Sequence, residues 1–141
     1  MKAFKGLAHA IAACVVLQAA WIAAGTFDLA NKTEDGKTIT DDNFRNWGLN
    51  AHSIFAIIIP ILAIALLVTA FVIKRPGAPK WAGYVFGSVV LQWVLAIIAY
   101  SVPVIGVLHA VNAFVMIGLS EAAARQVTSG SVTESAGAAA V

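Results

Sequence analysis

Residues 47–73, WGLNAHSIFAIIIPILAIALLVTAFVI, contain no Asp, Glu, Lys or Arg. A bilayer core of about 30 Å is crossed by roughly 20 apolar residues in a helix, so this stretch predicts a transmembrane span. Three further stretches approach or meet the same length: Lys5–Phe27, Trp81–Tyr100 and Val102–Ser120. Because lipid offers no partner for backbone N–H and C=O groups, such segments cross as helices. The expected fold is all-α: one polytopic domain over residues 1–125, with four transmembrane helices in an up-down-up-down bundle. A small polar tail, residues 126–141, is expected to be disordered.

Composition agrees. Of 141 residues, 60% are hydrophobic and 11% are charged, against about 45–50% and 25% in soluble domains. Nothing the length of a separate soluble domain remains. Basic residues set the predicted orientation, since short loops rich in Lys and Arg stay in the cytoplasm. Lys2 and Lys5 precede the first span, Lys74, Arg75 and Lys80 separate the second from the third, and Arg125 follows the fourth. Both termini are therefore expected in the cytoplasm of a multi-pass plasma-membrane protein. The net charge of +2 reflects this topology and points to no nucleic-acid partner.

A single cysteine, Cys14, excludes an intramolecular disulfide, and no CxxCH motif is present for covalent haem. The first span resembles a signal peptide in its basic start. Its apolar run exceeds the usual 7–15 residues and contains Gln18, so it is read as a mature span. The lipoprotein-like box ending at Cys14 is followed by apolar sequence, not a polar tether. Residues 28–46 form the one sizeable external loop, acidic, with Asp35-Gly36 as a turn signal and Asn31-Lys32-Thr33 as a chance-level glycosylation match. KRPGAPK, residues 74–80, is a tight cytoplasmic turn in which Pro76 and Pro79 oppose helix continuation. In Ser101-Val102-Pro103, Ser is expected to cap the last span.

The chemistry concentrates in two histidines. His52 and His109 fall near the starts of the second and fourth spans, which run in the same direction, at matching depths. An ionisable group inside a membrane helix marks function more often than not. In a four-helix bundle these helices are diagonal neighbours whose inward side chains meet across the centre. Two facing imidazoles suit the axial positions of one haem b. Ala56 and Ala113 keep the same faces small, which a flat macrocycle requires, although small residues also serve ordinary helix packing.

A weak internal repeat makes the two histidines equivalent. Val15-Val16-Leu17-Gln18 recurs as Val89-Val90-Leu91-Gln92, and each is followed by a span bearing H-x-x-x-A. Gln18 and Gln92 are candidates to hydrogen-bond an imidazole, a haem propionate or a quinone; the plainer reading is interhelical glue. Asn112 lies one turn past His109 and could orient it, because ligating imidazoles donate their other N–H to a partner. His9, beside Lys5, can reach water and is not expected to be a ligand. Trp21, Trp47, Trp81 and Tyr100 fit interfacial belts. Pro60 is expected to kink the second span, and Gly83-x-x-x-Gly87 to permit close packing.

The order VVLQAAWIAAGTF, an early histidine in span two, VVLQWVLA, and LHAVNAFVMIGLS resembles a family of bacterial four-helix membrane proteins defined by a domain of unknown function. The resemblance covers about residues 5–125 and implies the fold without an activity; the long acidic loop departs from it. More distantly, the paired intramembrane histidines resemble cytochrome b561-type proteins, which hold two haems with four histidines. Only His52 and His109 match such a pair, so the resemblance implies one haem and no complete path across the bilayer.

Three functions are thus in competition. The first is a small membrane cytochrome with one bis-histidine haem near the outer face, exchanging electrons with quinone or an external redox partner. The second is a noncatalytic helper or assembly subunit of a larger membrane complex. The third, a copper or zinc site, would need ligands beyond the two imidazoles, and neither Met116 nor Cys14 lies at their depth. The spans carry no nucleophile–base arrangement, no phosphate-binding loop and no mid-membrane acid or base suited to a carrier.

Overall fold

A computed structural model describes the backbone of residues 1–138 and the side chains of residues 1–127. It contains α1 (Lys2–Glu34), the short α2 (Asp41–Phe44), α3 (Trp47–Val72), α4 (Ala78–Ser101) and α5 (Ile105–Ala138). No strand occurs among the described residues. Four of these helices are long and apolar enough to cross a membrane.

The helix ends correct several expectations. α1 continues past Phe27 to Glu34, so the segment joining it to α3 keeps only residues 35–46 as turn and short helix, and Asn31-Lys32-Thr33 is helical. Asp35 and Gly36 do form the turn, with Gly36 at φ 75°, a conformation that glycine adopts without strain. Ser101 is the last residue of α4, not a cap for α5, because its backbone is still helical and the chain turns at 102–104. Pro79 falls in the first turn of α4, where its missing N–H has no intrahelical partner to lose; Gly77 precedes it at φ 79°. Against the expected disordered tail over 126–141, the backbone is helical as far as Ala138; residues 139–141 lie outside the described residues.

α1 packs on α3 and α5, and α4 packs on the same two helices, which leaves α3 diagonal to α5. In the pairs α1/α3 and α4/α5, positions rise on one helix as they fall on the other: Gln18 meets His52 and Gly25 meets Gly48, while Ser88 meets Asn112 and Gln92 meets His109.

Burial follows one rule on all four helices. The buried seam is Phe4, Ala8, Ile11, Val15 on α1; Ile59, Ala63, Leu66, Ala70 on α3; Ala78, Ala82, Val85, Val89 on α4; and Met116, Ser120, Ala123, Val127 on α5. Steps alternate four, three and four residues on every helix, which keeps the buried positions on one face. Many seam positions are alanine, which lets the backbones approach closely where lipid supplies no hydrophobic drive. The opposite face of α3, with Ile54, Ile57, Ile61, Ile64, Val68 and Phe71, is exposed, as a lipid-facing side should be.

The seams of α1 and α4 correspond at a constant offset, Phe4 with Ala78 through Val15 with Val89, and those of α3 and α5 likewise, Ile59 with Met116 through Ala70 with Val127. The short sequence repeat therefore extends through the packing of the whole bundle.

At the other end the two halves differ. Gly25 and Gly48 bring α1 and α3 into backbone contact: a Cβ on Gly48 would stand 2.5 Å from Gly25 N. The buried Asn46 braces this crossing, since its Oδ1 caps α3 by accepting from Leu49 N (3.0 Å) and its Nδ2 donates to Gly25 O (2.8 Å). Gly83 and Gly87 instead face outward with open space around them, so the GxxxG stripe takes no part in the intramolecular packing.

Candidate functional site

The buried seam stops one step short of the histidines. Continuing the same alternation reaches Gln18 on α1, Ala56 and then His52 on α3, Gln92 on α4, and Ala113 and then His109 on α5. All six are half-buried, where the preceding layers are closed. The side chains singled out for a cofactor thus occupy core-facing positions at the level where apolar filling ends.

Each histidine is held by the glutamine of the neighbouring helix. His52 Nδ1 lies 3.3 Å from Gln18 O, and His109 Nδ1 lies 3.1 Å from Gln92 O. A backbone carbonyl behind Nδ1 is a common support for an imidazole whose Nε2 binds a metal, because it orients the ring and raises its basicity.

The surroundings of the two rings differ. Asn112 Nδ2 donates to Ser88 O (2.9 Å) and to Gln92 Oε1 (2.7 Å), and Gln92 Nε2 lies 3.1 Å from His109 Nε2. Asn112 therefore acts on His109 through Gln92, not by direct contact. Around His52, the Gln18 amide satisfies both its groups when its NH2 faces Nδ1 and its oxygen accepts from Ala56 N at 2.9 Å. That nitrogen then meets one acceptor and one donor, and Nε2 has no hydrogen bond to a described residue. In the first half of the repeat the places of Ser88 and Asn112 are taken by Cys14 and Phe55, which cannot build the same network.

Pro60 contributes through a carbonyl. It lies within α3 without ending the helix and, lacking N–H, leaves Ala56 O without its intrahelical donor. Trp93 Nε1 on α4 donates to that oxygen at 3.3 Å. Trp93 was not foreseen from the sequence; the signal available was a tryptophan one residue after Gln92.

His9 is away from this level. Its Nδ1 lies 2.9 Å from Glu121 Oε1, tying α1 to α5 at the opposite end of the bundle. Trp21 is no simple interfacial anchor: it packs edge-on against Trp47, with ring centroids 5.7 Å apart, and its buried Nε1 has no hydrogen-bond partner among the described residues. Asn50 is exposed, and Gly106 has open space about its Cα.

No cluster of three or more His, Cys, Asp or Glu able to hold a bare metal ion occurs among the described residues. Two imidazoles, by contrast, complete the protein's share of a haem iron, whose other four ligands come from the macrocycle. Half-open packing and small side chains at Ala56 and Ala113 agree with that donor set. No protein-family model, curated protein or solved structure matches the chain. Function has to be read from geometry and chemistry.

Proposed function

We propose that the protein is a small integral-membrane b-type cytochrome in which His52 and His109 hold one haem b. The observation that carries this reading is the placement of the two imidazoles: equivalent positions on diagonal helices, each with Nδ1 against a glutamine carbonyl. Haem, when bound, supplies a one-electron carrier. The chain would supply the imidazole nitrogens of His52 and His109 to hold it, the small faces of Ala56 and Ala113, and amides at Gln18 and Gln92 that can meet a propionate or a quinone oxygen.

The basic residues flanking the helices orient the bundle up-down-up-down with both termini in the cytoplasm of the plasma membrane. The histidine level then lies toward the outer face, where electrons can pass to quinone or to an external redox partner. One haem at that depth serves exchange at a single face.

A reduced-minus-oxidised optical spectrum of detergent-purified protein, expressed with ample haem, tests the proposal. A stoichiometric b-type signal is expected. A flat spectrum from folded protein would reject it in favour of a cofactor-free helper subunit of a larger membrane complex. The observation favouring that second reading is the closed Gln92–Asn112–Ser88 network, which joins α4 to α5 without any cofactor.

A further inference from the structure

We infer that Gln92 is a displaceable cap on the metal-binding lone pair of His109, pinned by Asn112, so that the described arrangement is the closed form of the site. This rests on the reading of His109 as an axial ligand and adds the device that regulates access to it.

The proton positions follow from the two ends of the chain of contacts. Ser88 O is a backbone carbonyl and can only accept, so the Asn112 atom beside it is the NH2. The same NH2 donates to Gln92, so the Gln92 atom it meets is Oε1, and the Gln92 NH2 must face His109 Nε2. A donor at Nε2 requires that nitrogen to carry its lone pair, which places the ring proton on Nδ1. There it points at Gln92 O, again an acceptor only. These four contacts are satisfied together in one protonation pattern and in no other. Amide and tautomer assignments left ambiguous by atom positions alone are thus fixed by two backbone oxygens.

His109 is therefore held in the tautomer that a metal-ligating imidazole needs, while the nitrogen that would bind is covered. An electron-pair acceptor can reach it only after the Gln92 side chain rotates away; the Nδ1–H bond to Gln92 O involves the backbone and is unaffected by that rotation. His52 carries no such cap, because its Nε2 has no hydrogen bond to a described residue and its Nδ1 faces both a donor and an acceptor. Two equivalent histidines are thus unequal in readiness, with His52 the open ligand and His109 the gated one. Gln92 is a positioning residue, and Asn112 positions Gln92.

The test reads imidazole nitrogens by long-range proton–nitrogen NMR of the full chain, labelled with nitrogen-15 histidine and kept free of haem in detergent micelles. Wild-type His109 is expected as a single Nδ1–H tautomer with a hydrogen-bonded Nε2. Gln92→Met, equal in length but lacking the donor, should keep the tautomer and move the Nε2 resonance to its unbonded position. Asn112→Leu keeps Gln92 but unpins its amide, so the tautomer should hold while the Nε2 resonance moves part of the way to its unbonded position. An Nε2–H tautomer in wild type, or an Nε2 resonance unmoved by Gln92→Met, would overturn the cap. Asn112→Leu decides the matter by itself if Gln92→Met fails to fold, an unmoved Nε2 resonance being the contrary result.

Hemin titration adds a second readout. Gln92→Met should bind roughly three- to tenfold tighter, the factor that one neutral hydrogen bond is worth. Weaker binding would make Gln92 a support of the loaded form and refute a cap. Failure of wild type to take up hemin would reject the cytochrome reading alone, since the nitrogen resonances judge the cap without haem.

Discussion

His109 meets both ends of Gln92: its Nδ1 lies 3.1 Å from the backbone oxygen and its Nε2 lies 3.1 Å from the side-chain amide nitrogen. One residue of α4 thereby sets the direction, the tautomer and the accessibility of an imidazole on α5. The relation on the other side of the bundle, His52 with Gln18, keeps the backbone contact and loses the network behind it.

If the two imidazoles are axial ligands, each is indispensable in a way that His9 is not. His52→Ala and His109→Ala should each reduce haem content of purified protein to near zero, while His9→Ala should leave it within error of wild type. Pyridine haemochrome content per mole of protein measures this. Full haem in both single variants would exclude ligation by this pair.

The crossing of α1 and α3 leaves no room for a side chain at Gly48, where a Cβ would meet the backbone at Gly25 N and Trp21 O. Gly48→Ala must push the helices apart and should destabilise the fold by about 1–3 kcal/mol, the usual penalty for overpacking. Gly83→Ala and Gly87→Ala meet open space and should be close to neutral. Reversible unfolding in mixed micelles compares the three; equal effects would contradict the close approach.

Pro60 and Trp93 are predicted to be coupled. Trp93→Phe leaves Ala56 O without a donor and should cost about 1 kcal/mol or more. Pro60→Ala restores an N–H that can reach the same oxygen. In that background Trp93→Phe should cost measurably less, and a double-mutant cycle with no interaction energy would refute the link.

Orientation is open to direct labelling. In a Cys14→Ser background, Thr38→Cys should react with an impermeant maleimide added outside intact cells, and Gly77→Cys should react only after the membrane is opened. The reverse pattern would invert the bundle and move the histidine level to the cytoplasmic side.

The Asn46 side chain both caps α3 and holds α1. Asn46→Ala should destabilise by about 1–3 kcal/mol, combining a lost cap with a buried carbonyl left unpaired. Asn46→Ser, which can cap but is too short to reach Gly25 O, should fall between Ala and wild type in the same unfolding assay.

Much of the site was legible in the chain because its signals are chemical and rare. Two histidines in apolar helices stand out against leucine and alanine, and the VVLQ repeat pairs Gln18 with Gln92, which occupy corresponding positions on α1 and α4. The contacts of those residues were not legible. Asn112 was expected to orient His109 and does so only through Gln92, while Ser88 enters through a backbone oxygen that carries no sequence signature. Ser101 was misread because an N-cap residue and the last residue of a preceding helix look alike beside a proline. His9 was set aside as a solvent-reaching group, and its pairing with Glu121 depends on two residues at opposite ends of the chain.

The sequence by itself determined that this chain forms long apolar helices, roughly where they begin, and that two imidazoles lie at matched depth. Length and hydropathy suffice for that, since an apolar segment in lipid must satisfy its own backbone. Only the tertiary structure decided how each helix is turned about its axis. These helices are apolar on nearly every side, so no hydrophobic face announces which residues point inward. Rotation is settled by packing, by alanines that admit a neighbour and by backbone oxygens that need a donor. That rotation alone brings Gln92 against His109 and leaves His52 open.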